Sequence, residues 1–495
     1  MAQYHKALRL QPSALVYSEI GNILMDARRY AEAETHYREA IRLYPKMPGT
    51  YNNLALVLDM QARFAEEEVC LERAISLQPE LLLAHNNLLF CLSHSPDFNL
   101  NKYLNAARRF GALVSARAKP FHDWPADTAG AEPLVVGIVS GDLRTHPVGY
   151  FLEGVLAELA PSRIRINAYY HHRTEDDLSA ELKQHCANWT DICDLDDETA
   201  ARRIREDGVQ ILIDLAGHSS PNRLGLFAWK PAPVAVTWLG YFASTGVPAI
   251  DYIFTDPVAA PAGSEGQFTE TPYPLPDTRL CFRPPRQARD VAVSPLPARV
   301  NGNITFGCFQ NPRKINPEVL ALWGAVLKAV PGSRLLIKHS DFAFEGARAS
   351  LMQRMAASGI DTDRIIPEAH ADYRDYLDAY SRVDVVLDTF PFPGGTTTCE
   401  ALWMGVPTLT LSGNSMLSKQ GESLLTAAGL PDWIAADKDD YIRKAATVAT
   451  RIDELAALRQ GLRDRLRASP LMDASRFARH LEDALHDIWA RRKAI

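Results

Sequence analysis

The 495-residue chain carries 53 Lys and Arg against 60 Asp and Glu, a net charge of −7, and is 47% hydrophobic and 23% charged. These ordinary globular values support several packed domains and exclude wholesale disorder. The acidic balance argues against a general nucleic-acid binder, which needs a basic surplus, and leaves room only for a local basic pocket that could take phosphate.

The first residues, Met1-Ala2-Gln3-Tyr4-His5-Lys6, are polar and do not read as a secretory leader. A repeat follows. Ala40-Ile41-Arg42-Leu43-Tyr44-Pro45 returns as Ala74-Ile75-Ser76-Leu77-Gln78-Pro79, Asn52-Asn53-Leu54 as Asn86-Asn87-Leu88, and Tyr30-Ala31-Glu32 as Phe64-Ala65-Glu66, each 34 residues on. That is the tetratricopeptide period: paired helices, small residues at the close approaches and a proline closing each unit. Neither helix of a pair can bury its apolar stripe alone, so the units stack and form a groove suited to extended peptides. The earlier fragment Ala7-Leu8-Arg9-Leu10-Gln11-Pro12 is the tail of a further unit, so the chain is expected to start inside a repeat. Repeats and their following helices are placed at 1–118, and a Pro-, Ala- and Asp-rich linker at 119–133.

The pattern then changes to short apolar, β-branched runs separated by helical stretches. Strands are expected at Leu134–Val139, Ile166–Tyr170, Ile211–Leu215, Val234–Leu239 and Tyr252–Thr255, within a first sheet domain at 134–285. After a Pro/Arg/Ala-rich connector the pattern restarts, with Ile304–Gly307, Arg334–Lys338, Arg364–Pro367, Asp384–Asp388 and Pro407–Leu411, in a second domain at 300–473. Such alternation predicts doubly wound parallel sheets with ligands at the carboxyl ends of the strands, and two such domains leave a cleft between them. The fold class is thus α + α/β. An amphipathic helix at 474–495 is expected to pack back on the first sheet domain. No apolar stretch reaches transmembrane length, so a cytoplasmic location without membrane attachment is expected.

The strongest local motif is Asp388-Thr389-Phe390-Pro391-Phe392-Pro393-Gly394-Gly395-Thr396-Thr397-Thr398-Cys399-Glu400. A strand ends, two glycines allow close backbone approach, and three threonines open a helix whose free N–H groups favour phosphate. Glu400 in the first turn could hold ribose hydroxyls. There is no Gly-Lys-Ser/Thr of a P-loop and no Gly-x-Gly-x-x-Gly after Val139. A second cluster, Phe309-Gln310-Asn311-Pro312-Arg313-Lys314, also follows a strand, and Arg313 and Lys314 could offset a leaving diphosphate. In the first sheet domain His146 follows one strand and His218 another, in Asp214-Leu215-Ala216-Gly217-His218; either could serve as a general base. Seven scattered cysteines without a Cys-x-x-Cys read as reduced thiols. With no His-Glu-x-x-His and only the adjacent pair His171-His172, no metal is expected.

Gly217-His218, Lys230-Pro231-Ala232-Pro233-Val234-Ala235-Val236-Thr237-Trp238-Leu239-Gly240-Tyr241, Phe309-Gln310-Asn311 with Lys314-Ile315, and Leu387-Asp388-Thr389-Phe390 with Thr396-Thr397-Thr398-Cys399-Glu400 together resemble the protein O-GlcNAc transferases and their SPINDLY-type relatives, which are O-fucosyltransferases. The resemblance runs over repeats, both sheet domains and the order of motifs. It implies a GT-B fold and inverting, metal-independent transfer from a nucleotide sugar, UDP-GlcNAc, to Ser/Thr hydroxyls of protein or peptide acceptors, with no other cofactor. Lys314 matches the lysine that neutralises the leaving diphosphate, Gln310 a donor contact, Thr396 and Thr397 the phosphate-binding threonines, Glu400 a ribose-holding Asp, and His146 a histidine near the reacting centre. The catalytic group is therefore expected to comprise His218, His146, Lys314 and Asp214. The donor group is expected to comprise Gln310, Lys314, Gly394, Gly395, Thr396, Thr397, Thr398, Glu400 and Tyr376. Gly395 and Tyr376 stand where animal O-GlcNAc transferases carry histidines, and the Thr-Thr-Thr-Cys-Glu wording is closer to the SPINDLY branch, so GDP-fucose stands beside UDP-GlcNAc as donor. A repeat scaffold that binds nucleotide without catalysis, and a transferase acting on small molecules, are the rival classes. The retained Lys314 argues against the first and the repeats against the second.

Overall fold

The computed structural model describes residues 11–125, 133–159 and 163–492. The repeat tail at 7–10 and the middle of the expected linker, 126–132, lie outside the described residues. Five helices come first: α1 Ala14–Asp26, α2 Tyr30–Leu43, α3 Pro48–Met60, α4 Phe64–Leu77 and α5 Leu82–His94. Small residues set their spacing. A Cβ on Gly21 would fall 2.5 Å from a Tyr37 ring carbon, so only glycine lets α1 close on α2. The Tyr37 hydroxyl donates to Asn22 Oδ1 at 2.7 Å, and Asn53 Nδ2 donates to the same oxygen at 2.9 Å. Arg28 and Ala62, 34 residues apart, both adopt the left-handed backbone that turns one helix into the next, at φ of 57° and 54°. The 34-residue period is therefore a period in backbone geometry as well as in side chains.

Contacts divide the chain into two units, one gathering the repeats up to Asn99 with Asp290–Gly413 and Asp432–Arg463, the other gathering Leu100–Arg289, Asn414–Pro431 and the chain from Asp464. The second of these holds a seven-stranded sheet: β1 Leu134–Ser140, β2 Ile164–Tyr170, β3 Asn188–Asp191, β4 Ile211–Asp214, β5 Val234–Thr237, β6 Tyr252–Thr255 and β7 Thr271–Pro274. Their order is β3-β2-β1-β4-β5-β6-β7, all parallel. Every residue of β1, β4 and β5 is buried, as a parallel sheet covered on both faces requires. Helix α6, Leu100–Ser115, sits so close to this sheet's loops that a Cβ on Gly111 would collide with the Gly246 carbonyl. The helix Ala474–Arg492 packs on Pro147–Leu159, and its Phe477 stacks on Trp238 at 6.0 Å. The stretch 414–431, placed by sequence in the second sheet domain, groups with the first. There Ser423 donates to Asp256 at 2.8 Å, Gln420 accepts from Arg279 at 3.1 Å, and Met416 joins Ile253 and Phe268 in an apolar cluster.

The other unit holds β8 Thr305–Cys308, β9 Arg334–Lys338, β10 Ile365–Glu368, β11 Val385–Leu387, β12 Thr408–Leu411 and β13 Ile434–Ala435. Their order is β10-β9-β8-β11-β12-β13, again all parallel. In each sheet the strand order reverses once, between β1 and β4 and between β8 and β11. Such a switch point opens a crevice at the carboxyl ends of the strands, where ligands of doubly wound sheets bind. Among the described residues no helix is long and apolar enough to cross a membrane. All seven cysteines are free.

Candidate functional site

The switch point of the repeat-bearing unit gathers the loops after β8 and β11. Asp388, immediately after β11, is 1% exposed and organises both. Its Oδ1 accepts from the backbone of Gly394 at 2.8 Å and of Thr389 at 3.0 Å, and from the Gln310 amide; its Oδ2 accepts from Thr410 of β12 at 2.7 Å. Burial raises its pKa, and these donors oppose the rise. Thr389 engages the other end of the Gln310 amide, and Asn316 donates to the Phe390 carbonyl at 2.6 Å while capping the helix Pro317–Ala329. Gln310, expected as a donor contact, is thus first a pin between the two loops.

Gly394 shows what this scaffold leaves open. A Cβ there would lie 2.5 Å from Thr398 Oγ1, 2.6 Å from Thr397 Oγ1 and 2.7 Å from Gln310 Nε2. Two hydroxyls and an amide therefore converge on one spot that only the missing side chain keeps clear. Thr398 Oγ1 is buried without a hydrogen-bond partner. Gly395 is the N-cap of the helix Thr396–Trp403 and supplies no side-chain cap, so the first amides of that helix keep their donor capacity and its positive end faces this loop. Lys314 stands on the opposite loop. Its Nζ donates to the Pro393 carbonyl at 3.1 Å and lies 3.4 Å from the centroid of the Phe392 ring. Loss of water around the ammonium, with repulsion from Arg313, pulls its pKa to about 7.

Glu400 is buried one turn into the helix. Tyr373 donates to its Oε1 at 2.6 Å and Tyr376 to its Oε2 at 2.7 Å, while burial lifts the carboxyl to about 7. Phe309 stacks on Tyr380 at 3.8 Å, and Tyr373 on Tyr376 at 5.6 Å. Tyr376, expected to touch the donor, is itself buried and spends its hydroxyl on Glu400 and Tyr380, so its place is behind the carboxylate.

The switch point of the other unit holds His146, Asp214 and His218. His146 Nδ1 accepts from the Val148 backbone at 3.3 Å, at the start of the helix Pro147–Leu159, with Asp142 Oδ2 3.7 Å away. Burial lowers its pKa, and the Asp142 charge partly restores it. This bond puts the proton of a neutral His146 on Nε2. His218 is 3% exposed, and its Nε2 lies 2.8 Å from the Thr245 carbonyl. A carbonyl can only accept, so a neutral His218 carries its proton on Nε2, with Nδ1 unprotonated. The edges of Phe110 and Tyr241 fix the ring, at 4.7 and 5.4 Å between centroids. Asp214, expected among the catalytic groups, is a loop clamp. Its carboxylate accepts from the backbone of Ala216 at 3.1 Å and Gly217 at 2.9 Å and from Thr237 at 2.8 Å, and at 1% exposure burial raises it to about 6.

The sequence alone gives Asp388 and Phe392 no role of their own within the glycine–threonine motif, and marks neither Asn316 nor Tyr373. Asp388 carries a signal, as an acidic residue ending an apolar strand.

Comparison with known proteins bears on the family and the fold. The family model for glycosyl transferase family 41 matches residues 76–281 and 296–481, and tetratricopeptide-repeat models match 14–47 and 49–82. A rice protein described as a probable UDP-N-acetylglucosamine–peptide N-acetylglucosaminyltransferase SPINDLY is 38% identical over 397 residues, 79% of this chain and 42% of that protein. The Arabidopsis thaliana protein of the same description but named SEC is 28% identical, over 73% of this chain and 37% of its own length. The chain thus spans less than half the length of these curated relatives. A lysine-to-methionine mutant of the Thermobaculum terrenum O-GlcNAc transferase superposes with a TM-score of 0.89 at 32% identity, covering 99% of this chain and 93% of that one. The chain belongs to glycosyl transferase family 41.

Proposed function

We propose that this protein transfers N-acetylglucosamine from UDP-GlcNAc to Ser or Thr hydroxyls of proteins, with inversion at the anomeric carbon and without a metal ion. The observation that carries the reading is the spot beside Gly394, ringed by Thr397, Thr398 and Gln310, at a helix N-terminus and across from Lys314. A diphosphate suits that set: hydroxyls and amides donate to its oxygens, and Lys314 and the helix dipole supply the positive charge for which many transferases recruit a metal. In this reading Lys314 leaves the Phe392 ring for the phosphate, and Glu400, held by two tyrosines, accepts from the ribose hydroxyls. As the sugar–phosphate bond breaks, the acceptor oxygen bonds to the anomeric carbon from the opposite face and the diphosphate departs with the bonding electrons. The acceptor proton goes to a base. His218 has the tautomer for that role, with Nδ1 unprotonated, whereas His146 presents Nε2–H and fits a hydrogen-bond donor. The repeats supply the surface for an extended protein acceptor.

A second reading, transfer of fucose from GDP-fucose, is supported by the Thr396-Thr397-Thr398-Cys399-Glu400 wording and by the higher identity to SPINDLY than to SEC, 38% against 28%. Calorimetric titration with UDP and with GDP in the presence of EDTA, followed by transfer assays with both sugar donors on a peptide library, separates the readings. UDP binding with GlcNAc transfer supports the first, and GDP binding with fucose transfer the second. Nucleotide binding with no transfer would leave a scaffold, and no nucleotide binding would remove the donor site itself.

A further inference from the structure

Within the repeat-bearing unit, the repeat helices touch the lysine loop from two sides. Arg313, the residue before Lys314, donates from Nη1 to Asp59 Oδ2 of α3 at 3.3 Å, and its guanidinium lies 4.7 Å from the centroid of the Phe90 ring of α5. Phe90 in turn packs on His94 at 3.9 Å, His94 meets Phe392 edge-on at 4.2 Å, and Phe392 is the ring on which Lys314 rests. The chain Arg313–Phe90–His94–Phe392–Lys314 therefore begins and ends on neighbouring residues of one 3₁₀ turn, Pro312–Lys314, and passes through repeat helix α5 on the way, while Asp59 of α3 holds Arg313 as well. His94 is fixed at Nδ1 by the Phe90 carbonyl, and Asp59 is 5% exposed, so neither is a loose surface contact.

We infer that Asp59 and Phe90 are positioning residues of the transfer reaction: the repeats hold the Arg313–Lys314 turn in register for the donor diphosphate, and so form part of the donor site as well as an acceptor surface. This rests on the diphosphate reading of the Gly394 site. Arg313 is the fulcrum. Without Asp59 its cation is left half-buried and unpaired next to Lys314, and two cations on one turn move apart. Without Phe90 the guanidinium loses the face that sets its direction.

The test compares nucleoside diphosphate with monophosphate, because the inference concerns the group Lys314 meets and not the base or ribose. UDP and UMP are titrated into the full chain by calorimetry (GDP and GMP if the wild type takes guanine nucleotides), and kcat and donor KM are measured with a short peptide acceptor. Asp59→Asn is expected to cut the UDP-over-UMP preference about tenfold and kcat by a similar factor, with UMP affinity unchanged. Phe90→Leu, which keeps the ion pair, is expected to do the same more weakly, and covers the case in which Asp59→Asn does not fold. Arg38→Ala is the control. It breaks the exposed Arg38–Glu66 bridge between successive repeats, 3.0 Å, far in character from the lysine turn, and should change neither ratio. Wild-type diphosphate preference and kcat in both folded variants would overturn the inference while leaving the functional reading intact. A wild type that binds no nucleotide would instead overturn the functional reading on which it stands.

Discussion

Replacing Gly394 with alanine tests the diphosphate site by filling it with one methyl group. The new Cβ would stand 2.5 Å from Thr398 Oγ1, 2.6 Å from Thr397 Oγ1 and 2.7 Å from Gln310 Nε2, all well inside van der Waals contact. Relief is limited. Gln310 is held at both ends of its amide by Asp388 and Thr389, and Thr398 is buried, so only Thr397 has room to rotate. The overpacking should cost about 1–3 kcal/mol of stability. Binding should suffer more. If two hydroxyls are turned from a charged phosphate, each such bond being worth about 1.5–3 kcal/mol, affinity falls roughly a hundredfold or more. The assay is calorimetric titration with UDP, with a thermal melt alongside to show that the variant is folded. A folded Gly394→Ala protein that binds UDP within about threefold of wild type would show that the space beside Gly394 is not where the diphosphate lies.

Lys314→Met should lower kcat by roughly 10²–10³ while circular dichroism stays unchanged; a loss of less than about tenfold would remove Lys314 from the chemistry. Because burial brings the pKa of Lys314 to about 7 and a diphosphate favours its charged form, UDP binding at about pH 8 should take up protons and weaken as pH rises further. Calorimetry in buffers of different ionisation enthalpy measures this directly. The same shift has a stability consequence of definite sign. The folded pKa lies below the unfolded one, so the penalty of the buried ammonium is full below about pH 7 and fades as pH rises toward the unfolded value. Lys314→Met should therefore raise the melting temperature more at about pH 6 than at about pH 9. Glu400→Gln keeps the shape between Tyr373 and Tyr376 but removes the charge, and should raise donor KM about tenfold with kcat near wild type; an unchanged KM would separate Glu400 from the ribose. Gly21→Ala pushes a methyl into the Tyr37 ring and should cost about 1–3 kcal/mol by thermal melting, with no change in nucleotide affinity.

The central strands were legible because each is a run of β-branched residues long enough to be buried on both faces. Their observed ends differ from the expected ones by a residue or two. The missed strands, β3, β7 and β13, lie at sheet edges. Asn188–Asp191 is half-exposed and polar, Thr271–Pro274 has two prolines in four residues, and Ile434–Ala435 is two residues long. None has an apolar pattern to read, and each is a strand only because a neighbour offers it hydrogen bonds. The site divides in the same way. Gly394, Thr397 and Thr398 lie within five residues of one another, so their convergence was visible as a motif. Tyr373, which donates to Glu400, was not: it is 27 residues away and reaches the carboxylate from a separate helix, stacked on Tyr376.

The role of Asp214 follows from a comparison between the two sheets. Asp214 ends β4 and Asp388 follows β11, the strands on the same side of their switch points. Each is 1% exposed, and each accepts backbone N–H groups from the loop that follows: Ala216 and Gly217 in one sheet, Thr389 and Gly394 in the other. Each also accepts a threonine hydroxyl from the next strand, Thr237 of β5 at 2.8 Å and Thr410 of β12 at 2.7 Å. A buried carboxylate in this arrangement has its oxygens committed to holding a loop and has little capacity left to move a proton for a substrate. From sequence alone, an acidic residue four places before His218 reads as a catalytic partner. Seen twice in one chain, with one copy beneath the glycine–threonine loop, it is the means by which a doubly wound sheet fixes the loop at its switch point. In the proposed reading the chemistry is left to side chains on that loop or on the helix it opens: His218 in one unit, and Thr397 and Thr398 in the other.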